Sequence, residues 1–284
     1  MTYHKTISLL IFDGNPNGQM MAELSNWNGR VYKVARSALA SFSDRDDAEN
    51  TGVYFLLGKD TEKNDTIYVG EAERMYDRIK QHMNDKEYWA DCVVVISKDN
   101  HLNKAHVKYL EHEFYQAAKS AGRFIVINST IPTRSSVSEY DTAMLCEFID
   151  HTKLLVNTLG YKAFDSISQP VSVAQTKEEL FILKGARGAE AKGLLVADGF
   201  TVLSGSTIAN EVVPSFPAGT VKTRTRLFEN GTVDARFRFT RDTLFTSPSL
   251  AATIVLGRSA NGRAEWQTED GKTLKAIEES AISR

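Results

Sequence analysis

Tyrosine, arginine, histidine and glutamate residues follow one another in an order that could serve the hydrolysis of a phosphodiester. Two short blocks, Gly52-Val53-Tyr54 and Tyr68-Val69-Gly70, are followed by Arg78, His82 and, farther along the chain, Glu111. Cleavage of a phosphodiester needs a cation against the phosphate, a group that receives the proton of the attacking water, and a divalent metal that stabilises developing negative charge. The set contains at least one candidate for each task.

Two predicted strands would place the two tyrosines side by side. Residues 51–57 and 66–70 are rich in β-forming and aliphatic side chains, whereas residues 58–65 are rich in Gly, Lys, Asp and Asn. This alternation of composition predicts a β-hairpin with a longer loop. Tyr54 and Tyr68 are then expected on neighbouring strands.

A helix is predicted directly after the hairpin. Apolar residues recur at intervals of three and four between Ala72 and His82, which indicates a helix with one face packed on the sheet. Arg74, Arg78 and His82 fall four residues apart and occupy one row beside this face. We therefore expect Arg78 and His82 to point at the same bound group, with Arg74 as a further contact to nucleic acid.

A second helix is predicted over residues 102–121, where apolar residues form a buried stripe. Glu111 and Glu113 lie on opposite borders of the stripe, so periodicity leaves open which carboxylate faces the tyrosines. Lys104 and Lys108 share the side of Glu111 and could approach a backbone phosphate. Alternatively they belong to a solvated face with weak ion pairs, which is the favoured interpretation for these two lysines.

Together, these residues resemble the signature of the GIY-YIG nuclease family. The resemblance implies that Tyr54 and Tyr68 are the motif tyrosines and that Arg78 is the phosphate-binding arginine. It also selects Glu111, in the context Tyr109-Leu110-Glu111, as the metal-binding glutamate. The implied fold is a small antiparallel sheet flanked by helices.

Three further positions refine the resemblance. His82 stands one helical turn after the arginine, where the homing-endonuclease-like branch carries histidine. Asn128, in Val126-Ile127-Asn128, resembles the asparagine near the end of the family core, although a turn role is an equal alternative. Glu71 departs from the DNA-repair branch, which often has lysine there, and indicates either another subfamily or a weaker site.

The resemblance implies a metal-dependent endonuclease that acts on DNA. With Glu111 as the single protein carboxylate, one Mg²⁺ or Mn²⁺ ion with several retained waters is expected. A tyrosine, with an ordinary pKa of about 10, is a poor base at neutral pH, whereas a histidine starts near about 6.5. The base therefore stays open between Tyr54, Tyr68 and His82. The competing hypothesis is a catalytically weak or inactive module that binds nucleic acid or protein.

Composition limits the partners and the fold. The chain has 284 residues and a formal net charge of -2, so two domains are expected and any affinity for nucleic acid must come from local basic patches. The run from Ile7 to Phe12 is too short for a membrane span or a signal peptide and predicts the first strand of a cytoplasmic protein without a membrane partner. Cys92 and Cys146 are expected to be buried small residues. Oligomeric state stays open.

An α+β protein is predicted, with a GIY-YIG-type core and a separate C-terminal α+β domain. The predicted segments are a β-rich N-terminal segment at 1–45, the nuclease-like core at 46–132, a helical extension at 133–164, a linker at 165–180 and the C-terminal domain at 181–284. Ser247-Pro248 begins a predicted helix that Gly257 ends.

The C-terminal segment resembles a domain of unknown function that is often found after such nucleases. The resemblance rests on residues 245–252, on Asn261-Gly262 and on Trp266, which is expected to anchor a core rather than to stack on a base. A strand is predicted at 232–239. Alternating basic residues are expected to contact phosphates across a sheet face; they are Lys222, Arg224, Arg226, Arg236, Arg238 and Arg241.

Overall fold

The computed structural model describes residues 4–85, 87–166 and 179–282. The chain divides into two compact units, Met1–Ser166 and Ile167–Arg284. Each unit combines a sheet with helices, which confirms the predicted α+β class. Most of the predicted linker falls on residues 167–178, which lie outside the described residues.

The first unit is built on a sheet in which seven strands of the described chain take part. The strands are β1 Ile7–Ile11, β2 Gln19–Leu24, β3 Gly29–Ala35, β4 Gly52–Lys59, β5 Asp65–Ala72, β6 Trp89–Ser97 and β7 Ile125–Val126. Their order is β1-β2-β3-β6-β4-β5-β7, antiparallel except for the β5–β7 pair. The N-terminal strands thus belong to the same sheet as the predicted hairpin, because β3 pairs with β6.

The predicted hairpin is confirmed as β4 and β5, with Tyr54 opposite Gly70 and Leu56 opposite Tyr68. Asp60 holds the connecting loop, since its carboxylate accepts hydrogen bonds from the backbone N–H groups of Glu62 and Asn64 at 2.9 and 2.8 Å. Side chains alternate between the two faces of a strand. Tyr54 and Tyr68 therefore lie on the same face of the sheet.

Helices cover both faces of this sheet. They are α1 Leu39–Phe42, after a 3-10 turn at Arg36–Ala38, then α2 Met75–Asp85, α3 Lys104–Ala121 and α4 Glu139–Thr158. One face packs against α1 and α2 in a core that contains Tyr54 and Ile79. The other packs against α3 and α4 in a core that contains Phe55 and Phe114.

The ends of α2 and α3 follow local sequence signals. Asn103 caps α3, because its side chain accepts from the N–H groups of Ala105 and His106, and Gly122 ends the helix in the left-handed conformation. The helix α2 begins at Met75. Arg74 therefore lies just before the helix, and the predicted row of Arg74, Arg78 and His82 keeps only its last two members on the helix. Across the described residues, no helix combines the length and the apolar character needed to cross a membrane.

The second unit has a smaller antiparallel sheet of order β11-β10-β9-β8. Its elements are β8 Leu180–Lys184, β9 Glu190–Val196, β10 Gly199–Val202, α5 Ala218–Glu229, β11 Thr243–Phe245, α6 Pro248–Leu256, α7 Gly262–Glu265 and α8 Leu274–Ile282. The side chain of Ser247 caps α6 and Gly257 ends it, as predicted. Trp266 is fully buried and packs on Phe200, which confirms its role as a core anchor.

Three further expectations are wrong. Lys222, Arg224 and Arg226 lie on helix α5, because tertiary packing overrides the strand-like alternation of their segment. Residues 232–239 form isolated bridges and turns instead of a strand, and Phe237 adopts a left-handed φ of 61°. Cys146 is exposed on α4, whereas Cys92 is buried in β6 as expected.

Candidate functional site

The two motif glycines of β4 and β5 make room for close contacts. A side chain at Gly70 would overlap the ring and hydroxyl of Tyr54, the residue opposite on β4. A side chain at Gly52 would overlap the backbone carbonyl of Val95 on β6. Neither glycine has a positive φ, so both positions require glycine for its size.

Three rings meet on the α2 face of the sheet. The hydroxyl of Tyr54 and Nε2 of His82 share a hydrogen bond of 2.7 Å. The ring of Tyr68 lies 6.2 Å from that of Tyr54 and 5.4 Å from that of His82, measured between centroids. Tyr54 is fully buried and His82 is 4% exposed, whereas Tyr68 is half-buried. Of the three side chains, Tyr68 is therefore the one that solvent reaches.

Burial sets the ionisation of the tyrosines. It raises the pKa of Tyr54 far above the ordinary value, and Tyr68 raises it further while Arg78 opposes the rise. Burial also raises the pKa of Tyr68, where Arg78 acts in the opposite direction and Glu111 adds to the rise. Tyr54 is thus held as a neutral phenol that can donate a hydrogen bond but does not readily accept a proton from water.

Arg78 brings a positive charge to this cluster from the exposed side of α2. Its Nη1 donates to Oε1 of Gln81 at 3.0 Å. Burial lowers the pKa of Arg78, but Tyr54, Tyr68 and Glu71 outweigh that effect and raise it. The guanidinium therefore stays charged beside the tyrosines while remaining accessible to an anion from solvent.

Glu111, on α3, is the glutamate that shares the site. Burial and the negative charge of Glu71 raise its pKa to about 7, while Lys104, Arg78 and Lys108 act against the rise. Glu113, the alternative that periodicity left open, forms an ion pair of 2.8 Å with Arg134 instead. The structure thus groups Glu111 with the charges around Arg78, and Glu113 with another cation.

Glu111 is the carboxylate of this cluster that is available to a cation, because Glu71 is already paired with Lys104 at 3.0 Å. A half-buried carboxylate beside a second negative charge is destabilised in its ionised form, and a hard divalent cation would relieve that repulsion. Across the described residues, no group of three or more His, Cys, Asp or Glu side chains has the arrangement of a metal cage. A single half-buried carboxylate would suit an ion that keeps most of its water ligands, as Mg²⁺ does.

Two predicted nucleic-acid contacts are engaged by carboxylates. Nζ of Lys104 lies 3.0 Å from Glu71 and 3.3 Å from Glu73. The guanidinium of Arg74 lies 3.0 Å from Asp77 and 3.6 Å from Glu49. Lys104 thus forms ion pairs, which was the favoured alternative to a phosphate contact. The sequence could not identify Glu71 as its partner, because Glu71 is 33 residues away along the chain.

Lys108 and Asn128 complete the set of predicted residues. Lys108 is exposed on α3, and its charge acts on Glu111. The side chain of Asn128 accepts from the N–H of Val69 at 3.0 Å and donates to its carbonyl oxygen at 2.7 Å. Asn128 thus extends the hydrogen bonding of β5 beyond β7, next to Tyr68.

Glu71 is the site residue whose role the sequence pattern missed. The pattern marks it only as a departure from the family at the end of the second motif. Its position two residues after Val69 placed it on the α3 face, because alternate residues of a strand share a face. That periodicity was sufficient to predict its approach to α3, where Lys104 and Glu111 lie.

The comparisons with known proteins concern the second unit. No curated protein and no solved structure matches the chain. Residues 181–278 match a family model, and this match does not extend to the residues of the candidate site. The predicted resemblance of the C-terminal part is thereby confirmed: these residues are similar to the family described as domain of unknown function, DUF4357.

Proposed function

We propose that the first unit is a cytoplasmic endonuclease of the GIY-YIG type that hydrolyses phosphodiester bonds in DNA with one Mg²⁺ or Mn²⁺ ion. The observation that carries the proposal is the convergence of Arg78 from α2 and Glu111 from α3 around the half-buried Tyr68. Residues up to 43 positions apart along the chain thus bring a cation, a carboxylate and a hydroxyl together.

In this proposal Arg78 binds the phosphate and offsets the charge that spreads over its oxygens. Glu111 would hold the metal, which when bound would lower the pKa of a coordinated water. Tyr68 is the hydroxyl of this cluster that a water can reach. Burial raises its pKa and Arg78 opposes that rise, so Tyr68 positions the nucleophile, and it deprotonates the nucleophile only if the bound metal and phosphate complex favours its phenolate.

Tyr54 and His82 support Tyr68 from the buried side. Their hydrogen bond of 2.7 Å fixes the rotamers of both side chains against the ring of Tyr68. His82 remains the alternative base, acting on a proton that reaches it through this cluster. Preorganised groups of this kind cost no reorganisation when charge develops.

The test is cleavage of single-stranded, duplex and branched DNA, and of RNA, with Mg²⁺ or Mn²⁺. Arg78→Ala and Glu111→Gln are each expected to lose at least about 100-fold in rate, the scale for removal of a charge-stabilising group. Lys80→Ala and Glu113→Gln are matched controls, because Lys80 is an exposed cation of α2 and Glu113 faces Arg134. Both controls should cleave at the wild-type rate.

Two results would contradict the catalytic assignment. One is binding of nucleic acid by the wild type without cleavage, which would favour the inactive binding module. The other is equal cleavage by Arg78→Ala and the wild type.

We also propose that the second unit holds the nucleic acid through exposed cations. Lys222 and Arg226 on α5, and Arg236 and Arg238 in the following turn, are exposed. The ion pairs found in the described part of this unit join other residues. Arg224 serves a different purpose, since its buried guanidinium donates to backbone carbonyl oxygens, one of them that of Ile254 at 2.7 Å.

The turn that carries Arg236 and Arg238 is well fixed. The carboxylate of Asp234 accepts from the N–H groups of both arginines at 2.8 and 2.9 Å. The ring of Phe237 packs edge-on against Phe228 of α5 at 5.7 Å. The turn therefore presents the two arginines to solvent without a carboxylate partner among the ion pairs of the described unit.

The double variant Arg236→Ala/Arg238→Ala tests this role. It should weaken DNA binding and reduce the slope of log K against log salt by about 2, because each lost phosphate contact removes about one released counterion. Arg263→Ala/Lys272→Ala is the matched control, since both cations already have carboxylate partners. Equal slopes for the two double variants would contradict the proposal.

A further inference from the structure

A pocket of about 790 Å³ opens beside Tyr68 and extends towards the loop between β4 and β5. Its wall includes Tyr88, just before β6, and Thr66, two residues before Tyr68 on β5. The volume lies in the range of pockets that hold small organic ligands, roughly 300–1,000 Å³. The pocket thus joins the half-buried tyrosine of the candidate site to a concave surface that the proposed chemistry does not use.

A β-bulge positions Tyr88 at this pocket. The pairing of β4 with β6 shifts register between Leu57 and Gly58. A side chain at Gly58 would overlap the backbone of Tyr88 and Trp89, so glycine allows these segments to approach. Trp89 is 2% exposed and anchors the start of β6 in the core. Bulges commonly redirect side chains next to active sites, and here the bulge sets Tyr88 at the wall.

Two hydroxyl groups at the wall have no protein partner in the described structure. The Oγ1 atom of Thr66 and the hydroxyl of Tyr88 are both buried and make no hydrogen bond there. Thr66 as a whole is 2% exposed. A buried polar group without a partner is destabilising, so a ligand with a hydrogen-bonding edge would gain stability from whichever of these hydroxyls it reaches. Such a ligand would also contact the rings of Tyr68 and Tyr88.

Charge at the rim selects against a phosphate in this pocket. Two acidic residues, Asp60 and Glu87, line the pocket. Lys59 also lines the pocket, but its ammonium forms an ion pair of 2.5 Å with Asp65. The pocket therefore suits a neutral, planar group with hydrogen-bonding atoms at its edge, and a nucleobase is such a group.

We propose that this pocket receives one unstacked nucleobase, from the nucleotide next to the phosphate that Arg78 binds. The inference rests on the proposed function and extends it to the class of substrate. A base that enters a pocket must leave its stack, which is easiest in single-stranded or locally unpaired nucleic acid. The cleaved strand is therefore unpaired beside the cleavage position.

The first test measures binding without cleavage. Single-stranded oligonucleotides, each with one 2-aminopurine at a different position, are titrated with the protein in EDTA. One position should change in fluorescence on binding, and Tyr88→Leu should abolish this change and weaken affinity by roughly 10-fold, the scale of one lost base–aromatic contact. Tyr140→Leu is the matched control and should bind as the wild type does, because Tyr140 is 90% exposed on α4.

Two further variants separate a specific pocket from a folding defect. Tyr88→Phe and Thr66→Val keep the shape of the wall and remove one hydroxyl each. Each should keep the fluorescence change but reduce discrimination among the four bases by about 5-fold, as expected for one hydrogen bond. Unchanged discrimination in both variants would overturn the assignment of these hydroxyls to a base.

A cleavage assay distinguishes this inference from the proposed function. An oligonucleotide that is abasic at the responding position should be cleaved about 10-fold more slowly by the wild type, and no more slowly than the unmodified strand by Tyr88→Leu. Cleavage by the wild type without a responding position would overturn the pocket and leave the nuclease. A response that depends on Tyr88 without any cleavage would leave the pocket and overturn the nuclease. Absence of binding would overturn both.

Discussion

The two faces of the seven-stranded sheet use the same strands for different purposes. On the face covered by α3 and α4, Phe55 packs edge-on against Phe114 at 5.1 Å and Phe164 packs against both rings. On the face covered by α2, Tyr54 is equally buried but shares its hydroxyl with His82. Adjacent residues of β4 thus supply a purely apolar contact and a polar cluster.

The difference shows how a small unit can carry a polar site without losing its core. A buried hydroxyl or imidazole is tolerated where it is hydrogen-bonded. The apolar face then provides stability, and the polar face provides chemistry at a position that the same strands hold fixed. Changes on the two faces are therefore expected to differ in size and in kind.

The largest effect is expected on the apolar face. Phe114→Ala should lower the free energy of unfolding by about 3–5 kcal/mol, because the variant loses apolar contacts and leaves a cavity between two aromatic rings. Chemical denaturation measures the change. Ile131→Ala is the control and should be nearly neutral, since Ile131 is 60% exposed. A loss below about 1 kcal/mol would show that this face does not dominate stability.

A smaller effect is expected on the polar face. Tyr54→Phe removes the hydroxyl that bonds His82 at 2.7 Å while keeping the ring. The loss should be about 1–3 kcal/mol, since one buried polar group then lacks that partner. Tyr140→Phe, at an exposed position of α4, should leave the free energy of unfolding unchanged. Equal stability of the two variants would mean that the buried hydrogen bond contributes nothing.

The smallest effect concerns Glu111 on α3. Its pKa is raised from 4.5 to about 7 in the folded protein, so the folded state binds more protons than the unfolded chain between these values. Stability therefore falls as pH rises through this window. Glu111→Gln removes the effect and should be more stable than the wild type at pH 8 by about 1 kcal/mol, after allowance for solvent screening.

Denaturation at pH 5 and pH 8 measures this difference. Glu113→Gln is the matched control, because Glu113 lies on the same helix and its carboxylate is 2.8 Å from Arg134. Equal losses of stability for Glu111→Gln and the wild type between pH 5 and pH 8 would contradict the effect expected from the raised pKa of Glu111.

Local patterns were sufficient for the elements that carry the candidate site. The alternation of apolar residues around a polar loop predicted β4 and β5, and helical periodicity predicted α3 to within two residues of its observed start. These signals depend on near neighbours, which the chain itself displays. The order of the tyrosines, Arg78 and Glu111 added the prediction that they meet.

Contacts between residues far apart in the sequence determine the features that the local patterns could not predict. Glu111 and Glu113 border the same stripe, and only the fold shows that Arg134 engages the second of them. On α5 the alternation of Thr with basic residues is typical of a strand, but Arg224 is buried in a helix and donates to the carbonyl of Ile254, 30 residues away. Propensity yields to tertiary context in such segments.

The two hydrogen bonds of Asn128 to the backbone of β5 affect whether this strand can pair with a strand of another molecule. Past the short β7, the outer side of β5 would present free backbone groups, which in other proteins recruit a strand from a second molecule. The amide of Asn128 occupies both backbone groups of Val69. A side chain thus occupies the backbone groups that a strand of a second molecule would need, at the point where β5 passes Tyr68, and it does so without adding another strand that would cover the tyrosine.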